Sequence, residues 1–387
     1  MAKNKNTLVY EKVNGWEQVT AGDEKKIRSF SEDYKGFISA AKTERLCHDI
    51  GVDLAKKKGY SDLEDYIASG KKLKAGDKVY YSVAGKTLIL AHMGKESLED
   101  GLRVIGGHTD SPRLDLKPRP LYEDSDMVLF DTHYYGGIRK YQWVAIPLAL
   151  YGVIITADGK KVNIAIGDDP SDPIFTITDL LPHLAKDQSK KTLADGITGE
   201  GLNLIISSQK DKKRSAKEFL LDILNEKYGI CEADFIRAEI EVVPAGQARD
   251  LGFDRSMVLA YGHDDRVSAY TGMRAILDLK NTPKYTAVCI LCDKEEIGSV
   301  GSTGMESYVF ENTIAELINL SCKTYSDLTL RRCLKRSKML SADVNVLHDP
   351  NYPEVSSPNN NAASLNCGLV LTKYYGSRGK GMTNDAR

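Results

Sequence analysis

Apolar residues first recur at helical spacing in "TERLCHDIGVDLAKKKGY", where Leu46, Ile50 and Leu54 share one face. Lys56, Lys57 and Lys58 fill the last turn, where the helix dipole favours positive charge, and Gly59 is placed to end it. The spacing predicts a helix. Two runs rich in β-branched and aromatic residues follow, "DKVYYSV" and "TLILAHMG", separated by "AGK"; they predict a hairpin, with "LRVIGGHTD" as a third strand. From Leu114 to Gly246 the pattern changes. Pro118 and Pro120, the Tyr/Gly segment "DTHYYGGIRKYQW", short strands such as "KVNIAIGD" and a loop-rich stretch around "SDPIFTITDLLPHLAKDQ" replace the longer runs. Beyond it, "SMVLAYG", "RVSAYTGMRAILDLK", "KYTAVCILCD" and "GMESYVFENTIAELINLSC" alternate strand, helix, strand, helix. That alternation predicts an α/β domain, a parallel or mixed sheet covered by helices, made from residues 1–115 and 247–387 and interrupted by a β-rich insertion at 116–246.

A chain of 387 residues is long for one domain of ~100–200 residues, in keeping with two or three units. With 53 Lys+Arg against 54 Asp+Glu, the formal charge of -1 gives no reason to expect nucleic acid or an acidic membrane as partner. Basic runs such as Lys210–Arg214 read as solvated faces. The start lacks the apolar core of a signal peptide, and no window approaches the ~18 apolar residues that span a bilayer, so the expectation is a cytoplasmic protein without membrane contact. Seven scattered cysteines do not form a disulfide framework. Cys289 and Cys292 lie inside the apolar run "TAVCILC" and read as buried thiols before they read as zinc ligands.

Open α/β sheets bind ligands beyond the carboxyl ends of their strands, and four such ends carry chemistry here. They are "GGHTDSP" with His108 and Asp110, "YGHDDR" with Asp264 and Asp265, "CDKEEIGS" with Glu295 and Glu296, and "LSADVNV" with Asp343. Each alone has an ordinary reading: a satisfied histidine, a helix N-cap, exposed charge. Together they would form an electronegative hole that needs cations. One imidazole with several carboxylates suits Zn²⁺, Mn²⁺ or Co²⁺, and a carboxylate able to bridge suggests two ions and hydrolysis of an amide or ester. In "HTD", residues i and i+2 of a strand share a face, so Asp110 is expected to orient His108. Successive side chains of extended backbone diverge, so Glu296 is expected to bind metal while Glu295 acts on the attacking water as general base. There is no phosphate-binding GxxxxGK[ST], no GxGxxG after a strand and no GxSxG; "GSVGSTG" reads as a tight turn into a helix at Gly304.

At these residues the sequence resembles the M18 family of metalloaminopeptidases, the aspartyl aminopeptidase and aminopeptidase I group. The likeness runs through "AAKTER", "GGHTDSPRLDLKP", "YYGG", "LLPHLA", "GHDDR", "KEEIGSVGS", "LSADV" and "PNY". It implies a zinc-exopeptidase-like fold with an inserted dimerisation domain, two divalent ions, peptide substrates with a free N-terminus, and a homo-oligomer built from dimers up to a dodecamer. His108 and Asp343 would bind one metal, Glu296 the other, and Asp264 would bridge them; Glu295 would be the base, with Asp110 supporting His108. His183 in "LLPHLA" matches a histidine that reaches a neighbouring subunit's active site and steadies the reacting carbonyl. Acid-selective members use a cation for the substrate side chain, for which Lys373, Arg378 and Lys380 are candidates, whereas other members prefer leucine. Where many members have a histidine six positions past the "SAD" aspartate, this chain has Asp349, with His348 one earlier. The family also continues past "SRGKGMTNDA" to a histidine that completes the second metal site with Glu296, and none of the seven histidines here occupies that position. The expectation is therefore an aminopeptidase whose second site lacks one ligand in a chain that stops at Arg387 and is weakly active or unstable alone. The alternatives are a related hydrolase of other amides and a non-catalytic assembly protein that keeps the fold.

Overall fold

Every residue of Thr87–His92 is buried because helices cover both faces of its sheet. The computed structural model describes residues 8, 11–357 and 363–372. The chain divides into one unit of Tyr34–Ala342 and another of Met1–Asp33 with Asp343–Arg387. Its strands are β1 (Ser61–Asp62), β2 (Lys78–Val83), β3 (Thr87–His92), β4 (Arg103–His108), β5 (Arg113–Asp124), β6 (Met127–Tyr135) and β7 (Leu148–Ile155). β8 (Lys161–Ile166), β9 (Leu204–Ser207), β10 (Ala238–Pro244), β11 (Arg249–Leu251), β12 (Met257–Leu259), β13 (Ala287–Cys292) and β14 (Lys338–Ser341) follow. The helices are α1 (Ala21–Ala40), α2 (Glu44–Lys57), α3 (Leu63–Ser69), α4 (Ala216–Tyr228), α5 (His263–Leu277), α6 (Val309–Ser321) and α7 (Asp327–Arg336). None of the helices among the described residues is long and apolar enough to cross a membrane.

In the larger unit a six-stranded sheet runs β1-β2-β3-β13-β4-β14, mixed in direction, with β13, β4 and β14 parallel to one another. The period-2 alternation of its strands sorts the core. Leu88, Leu90, Cys289 and Leu291 pack with Phe37, Ile38, Ala55 and Met273 on one face, whereas Ile89, Ala91, Val288 and Ile290 pack with Leu63, Ile314, Leu317 and Leu330 on the other. This is the helix-covered mixed sheet that the strand–helix alternation predicts. A second six-stranded sheet, β8-β7-β10-β5-β6-β9, is antiparallel throughout and has its own core around Leu114, Phe130, Leu148, Ile154 and Val242. In the smaller unit the Gly15 N–H bonds the Asn366 carbonyl at 2.7 Å, and Leu347 forms a parallel bridge with Ala363.

Two local expectations change. "SMVLAYG" supplies only β12, which pairs with β11 in a two-stranded sheet, because the loop bonded from Arg255 N–H to Gly252 O turns the chain straight back. The helix expected at Gly304 starts at Val309, since the preceding residues form turns, with Ser307 Oγ accepting the Val309 N–H at 3.3 Å.

A buried ion network ties α2 to the second sheet. Glu44, fully buried at the start of α2, meets Lys86 at 3.0 Å and Arg113 at 3.4 Å; Lys86 also meets Glu239 at 2.8 Å, and Arg113 meets Asp115 at 2.8 Å and Glu241 at 3.2 Å. Burial would raise the Glu44 carboxyl, but Arg113 and Lys86 outweigh it and hold it at about 2. Burial and the Glu44 charge push Glu241 the other way, well above the carboxylate range. Replacing Glu44 with Gln takes the shared carboxylate from Lys86 and the buried Arg113, which keep Glu239 and Asp115, and should cost roughly 3 kcal/mol in a denaturant titration at neutral pH, the low end for breaking a buried pair. Because the folded value lies below the ordinary 4.5, that contribution is present above pH 4.5 and fades as pH falls toward 2. Glu241→Gln, which mimics the protonated form, should be nearly neutral by comparison.

Candidate metal centre

The parallel pairing of β13 with β4 sets Cys292 opposite His108, so both strands end at one level. Gly107 lets the start of α5 pack closely on β4, because a Cβ there would lie 2.9 Å from Asp265 Oδ2 and 3.1 Å from the Ala269 nitrogen. His108 is buried, and its backbone N–H bonds Asp265 Oδ2 at 3.3 Å. Its Nδ1 lies 2.9 Å from the Asp110 carbonyl, which only accepts, so Nδ1 carries a proton and Nε2 is the nitrogen turned toward the acidic groups. That Nε2 lies 3.2 Å from Asp264 Oδ1 and 3.8 Å from Glu295 Oε2.

The expected orientation of His108 by Asp110 takes a different form. β4 ends at His108, so strand alternation does not reach Asp110, and the main-chain carbonyl is nearer Nδ1 than the carboxylate, at 3.4 Å. The buried carboxylate holds the glutamate turn: Oδ1 accepts the Glu295 N–H at 3.2 Å, and Oδ2 accepts the Glu296 N–H at 3.1 Å and the Tyr135 hydroxyl at 2.7 Å. Burial would raise Asp110, but the donors from His108 and Tyr135 keep it below its usual value.

Glu295 and Glu296 do not lie in extended backbone. Lys294 has φ +70° and Glu295–Ile297 forms a single 3₁₀ turn. With three residues per turn, successive side chains still diverge by about 120°. Glu295 is exposed at the rim and Glu296 is half-buried. Asp264 enters from the start of α5, where it and Asp265 are non-helical; its carbonyl accepts the Ser111 hydroxyl at 2.7 Å. Ligand-capable atoms of His108, Asp264 and Glu296 all lie within 4.8 Å of one another.

The electrostatics fit a cation. Among the described residues neither Asp264 nor Glu296 has a Lys or Arg ion-pair partner, whereas the comparable group Glu44, Glu239 and Glu241 is filled by Lys86 and Arg113. Burial would lower the His108 imidazole, but Asp110 and Asp264 outweigh it and push it up to about 11. Burial and the Asp264 charge push Glu296 up to about 7. The carboxylates thus draw positive charge to Nε2, a demand that a divalent ion meets with one imidazole and two carboxylates as donors.

Asp343 belongs to the smaller unit, where it is exposed and its Oδ1 accepts the Val344 N–H at 2.6 Å. His183 is exposed in a turn after Pro182, close in sequence to Leu180, Leu181 and Leu184, which are 51%, 66% and 69% exposed. Lys373, Arg378 and Lys380 lie outside the described residues. Cys289 and Cys292 are buried thiols, and burial pushes Cys292 up to about 12. Beside Asp264, a cleft of about 330 Å³ is lined by Ser111, Pro112, Ile138, Arg139, Trp143 and Tyr261. Tyr135 escaped the sequence reading: "YYGG" stood out as a similarity but offered no chemistry until folding set its hydroxyl on Asp110.

Residues 37–387 match the profile of the family described as aminopeptidase I zinc metalloprotease (M18). The probable M18 family aminopeptidase 1 of Clostridium acetobutylicum is 50% identical over 385 residues, covering 98% of this chain and 82% of that protein. The crystal structure of an M18 aminopeptidase from Thermotoga maritima superposes with a TM-score of 0.89 at 40% identity, over 98% of this chain and 82% of that one. More distantly, the Saccharomyces cerevisiae mApe1 dodecamer shares the fold, with a TM-score of 0.69 at 21% identity over 87% of this chain and 76% of that one.

Proposed function

The chain belongs to the M18 aminopeptidase family, and on that premise we propose that it removes the N-terminal residue of peptides at a dinuclear metal centre with Glu295 as general base. The observation that carries this reading is the convergence of His108, Asp264 and Glu296, with no Lys or Arg ion-pair partner for the two carboxylates among the described residues, and with Glu295 at the rim. In this reading His108 and Asp343 would hold one ion and Glu296 the other, with Asp264 available to both; zinc is the first choice, with manganese and cobalt sharing the ligand set. Bound there, the ions would supply Lewis acidity at the scissile carbonyl and make the attacking water easier to deprotonate.

The protein's own groups do the rest. Glu295 takes a proton from the attacking water and delivers it to the leaving amine. Asp110 fixes the turn that carries Glu295 and Glu296 through its two backbone contacts. The cleft beside Asp264 receives the substrate's first residue between Trp143, Tyr261 and Pro112. His183 steadies the carbonyl in a neighbouring subunit, and segment 116–246 is the inserted dimerisation domain. The exposed leucines around His183 support a covered surface there, in a homo-oligomer that reaches a dodecamer as mApe1 does.

A panel of free and N-acetylated peptides tests the exopeptidase assignment. Free-amine peptides should be cleaved one residue at a time, with the activity lost to a chelator, and their acetylated counterparts should be inert. Equal cleavage of both sets would point to a hydrolase of other amides.

A further inference from the structure

We propose that Tyr135 is a positioning residue of this centre, setting the aim of both His108 and Glu296 by holding the Asp110 carboxylate from the second sheet. The inference rests on the metal-centre reading above. Asp110 is fully buried and touches each arm of the site: it receives one N–H from Glu295 and one from Glu296, and its carbonyl fixes His108 Nδ1. The side-chain hydroxyl that anchors Asp110 Oδ2 is that of Tyr135, at 2.7 Å.

Tyr135 is fixed in turn. It is the last residue of β6, and its ring lies under the Arg113 guanidinium, 3.8 Å from the centroid. Arg113 is clamped by Asp115, Glu44 and Glu241. The next residue, Gly136, has φ +71°, and a Cβ there would lie 3.1 Å from Glu296 Cβ, so the end of β6 sits against the Glu296 side chain itself. The second sheet thus braces, through one hydroxyl and one close approach, a turn delivered by the first. Tyr135 acts through Asp110 and touches no reacting atom in this scheme.

The test compares the full-length protein with Y135F, D110N, the double variant and H108A, reading zinc affinity by chelator competition, kcat, KM and the melting temperature of the zinc-free protein. Outer contacts of this kind are worth ~10–100-fold, so Y135F should weaken zinc binding by about tenfold and lower kcat with KM unchanged. The zinc-free melting temperature should stay in place, and the double variant should bind zinc no more weakly than D110N. Wild-type zinc affinity in Y135F, or a Y135F loss that adds in full to that of D110N, would overturn the role of Tyr135 while leaving the metal site standing. An H108A protein that binds zinc as tightly as the wild type would overturn the site and the proposal together.

Discussion

Replacing Glu295 with Gln should lower kcat by roughly 10²–10⁴-fold, the usual worth of a positioned general base, while the protein keeps its metal. The separation of these effects follows from the geometry. Glu295 sits exposed at the rim, 3.8 Å from His108 Nε2, and its backbone N–H is anchored on Asp110 Oδ1 whatever side chain it carries. Glutamine keeps the shape of the side chain and loses the basicity. Steady-state kinetics combined with metal analysis of the purified variant give the result. Full turnover with metal bound would remove Glu295 from the chemistry, and loss of metal would make it a ligand.

Asp264→Asn should have the opposite profile, losing metal and activity together. The carboxylate of Asp264 lies 3.2 Å from His108 Nε2, and in the proposed centre it serves both ions. An outer-shell loss alone costs ~10–100-fold in affinity, so a neutral bridging group should cost more than about 100-fold. The fold should persist, because the Asp264 side chain is exposed and the bond from Ser111 goes to the main-chain carbonyl, which the substitution keeps. Chelator competition and a melting curve measure both quantities. Wild-type zinc affinity in the variant would show that Asp264 is no ligand.

Much of this site was legible because its residues sit at strand ends, where pattern and chemistry coincide. "TAVCILC" and "LRVIGGH" read as strands from their apolar runs, and the parallel pairing of β13 with β4 then brings "CDKEE" beside "HTD". The finer contacts were not legible. Alternation along a strand gave Asp110 the right neighbour by the wrong atom, since β4 stops at His108 and a carbonyl makes the shorter contact. Extended backbone was assumed for Glu295 and Glu296, whereas the positive φ of Lys294 folds them into a 3₁₀ turn. Tyr135 could not be found at all, because its partner lies 25 residues away and meets it only once β6 has folded back toward Asp110. β12 misled for a related reason: three β-prone residues satisfy a strand pattern without saying which sheet they join.

The most direct measurement is anomalous diffraction at the zinc edge from crystals of the zinc-loaded protein. The expected result is two peaks beside the ends of β4 and β13, one within bonding distance of His108 Nε2, the other of Glu296, with the Asp264 carboxylate between them. No peak at His108, or zinc found only elsewhere, such as among Glu44, Glu239 and Glu241, would contradict the metal centre on which the proposed chemistry depends.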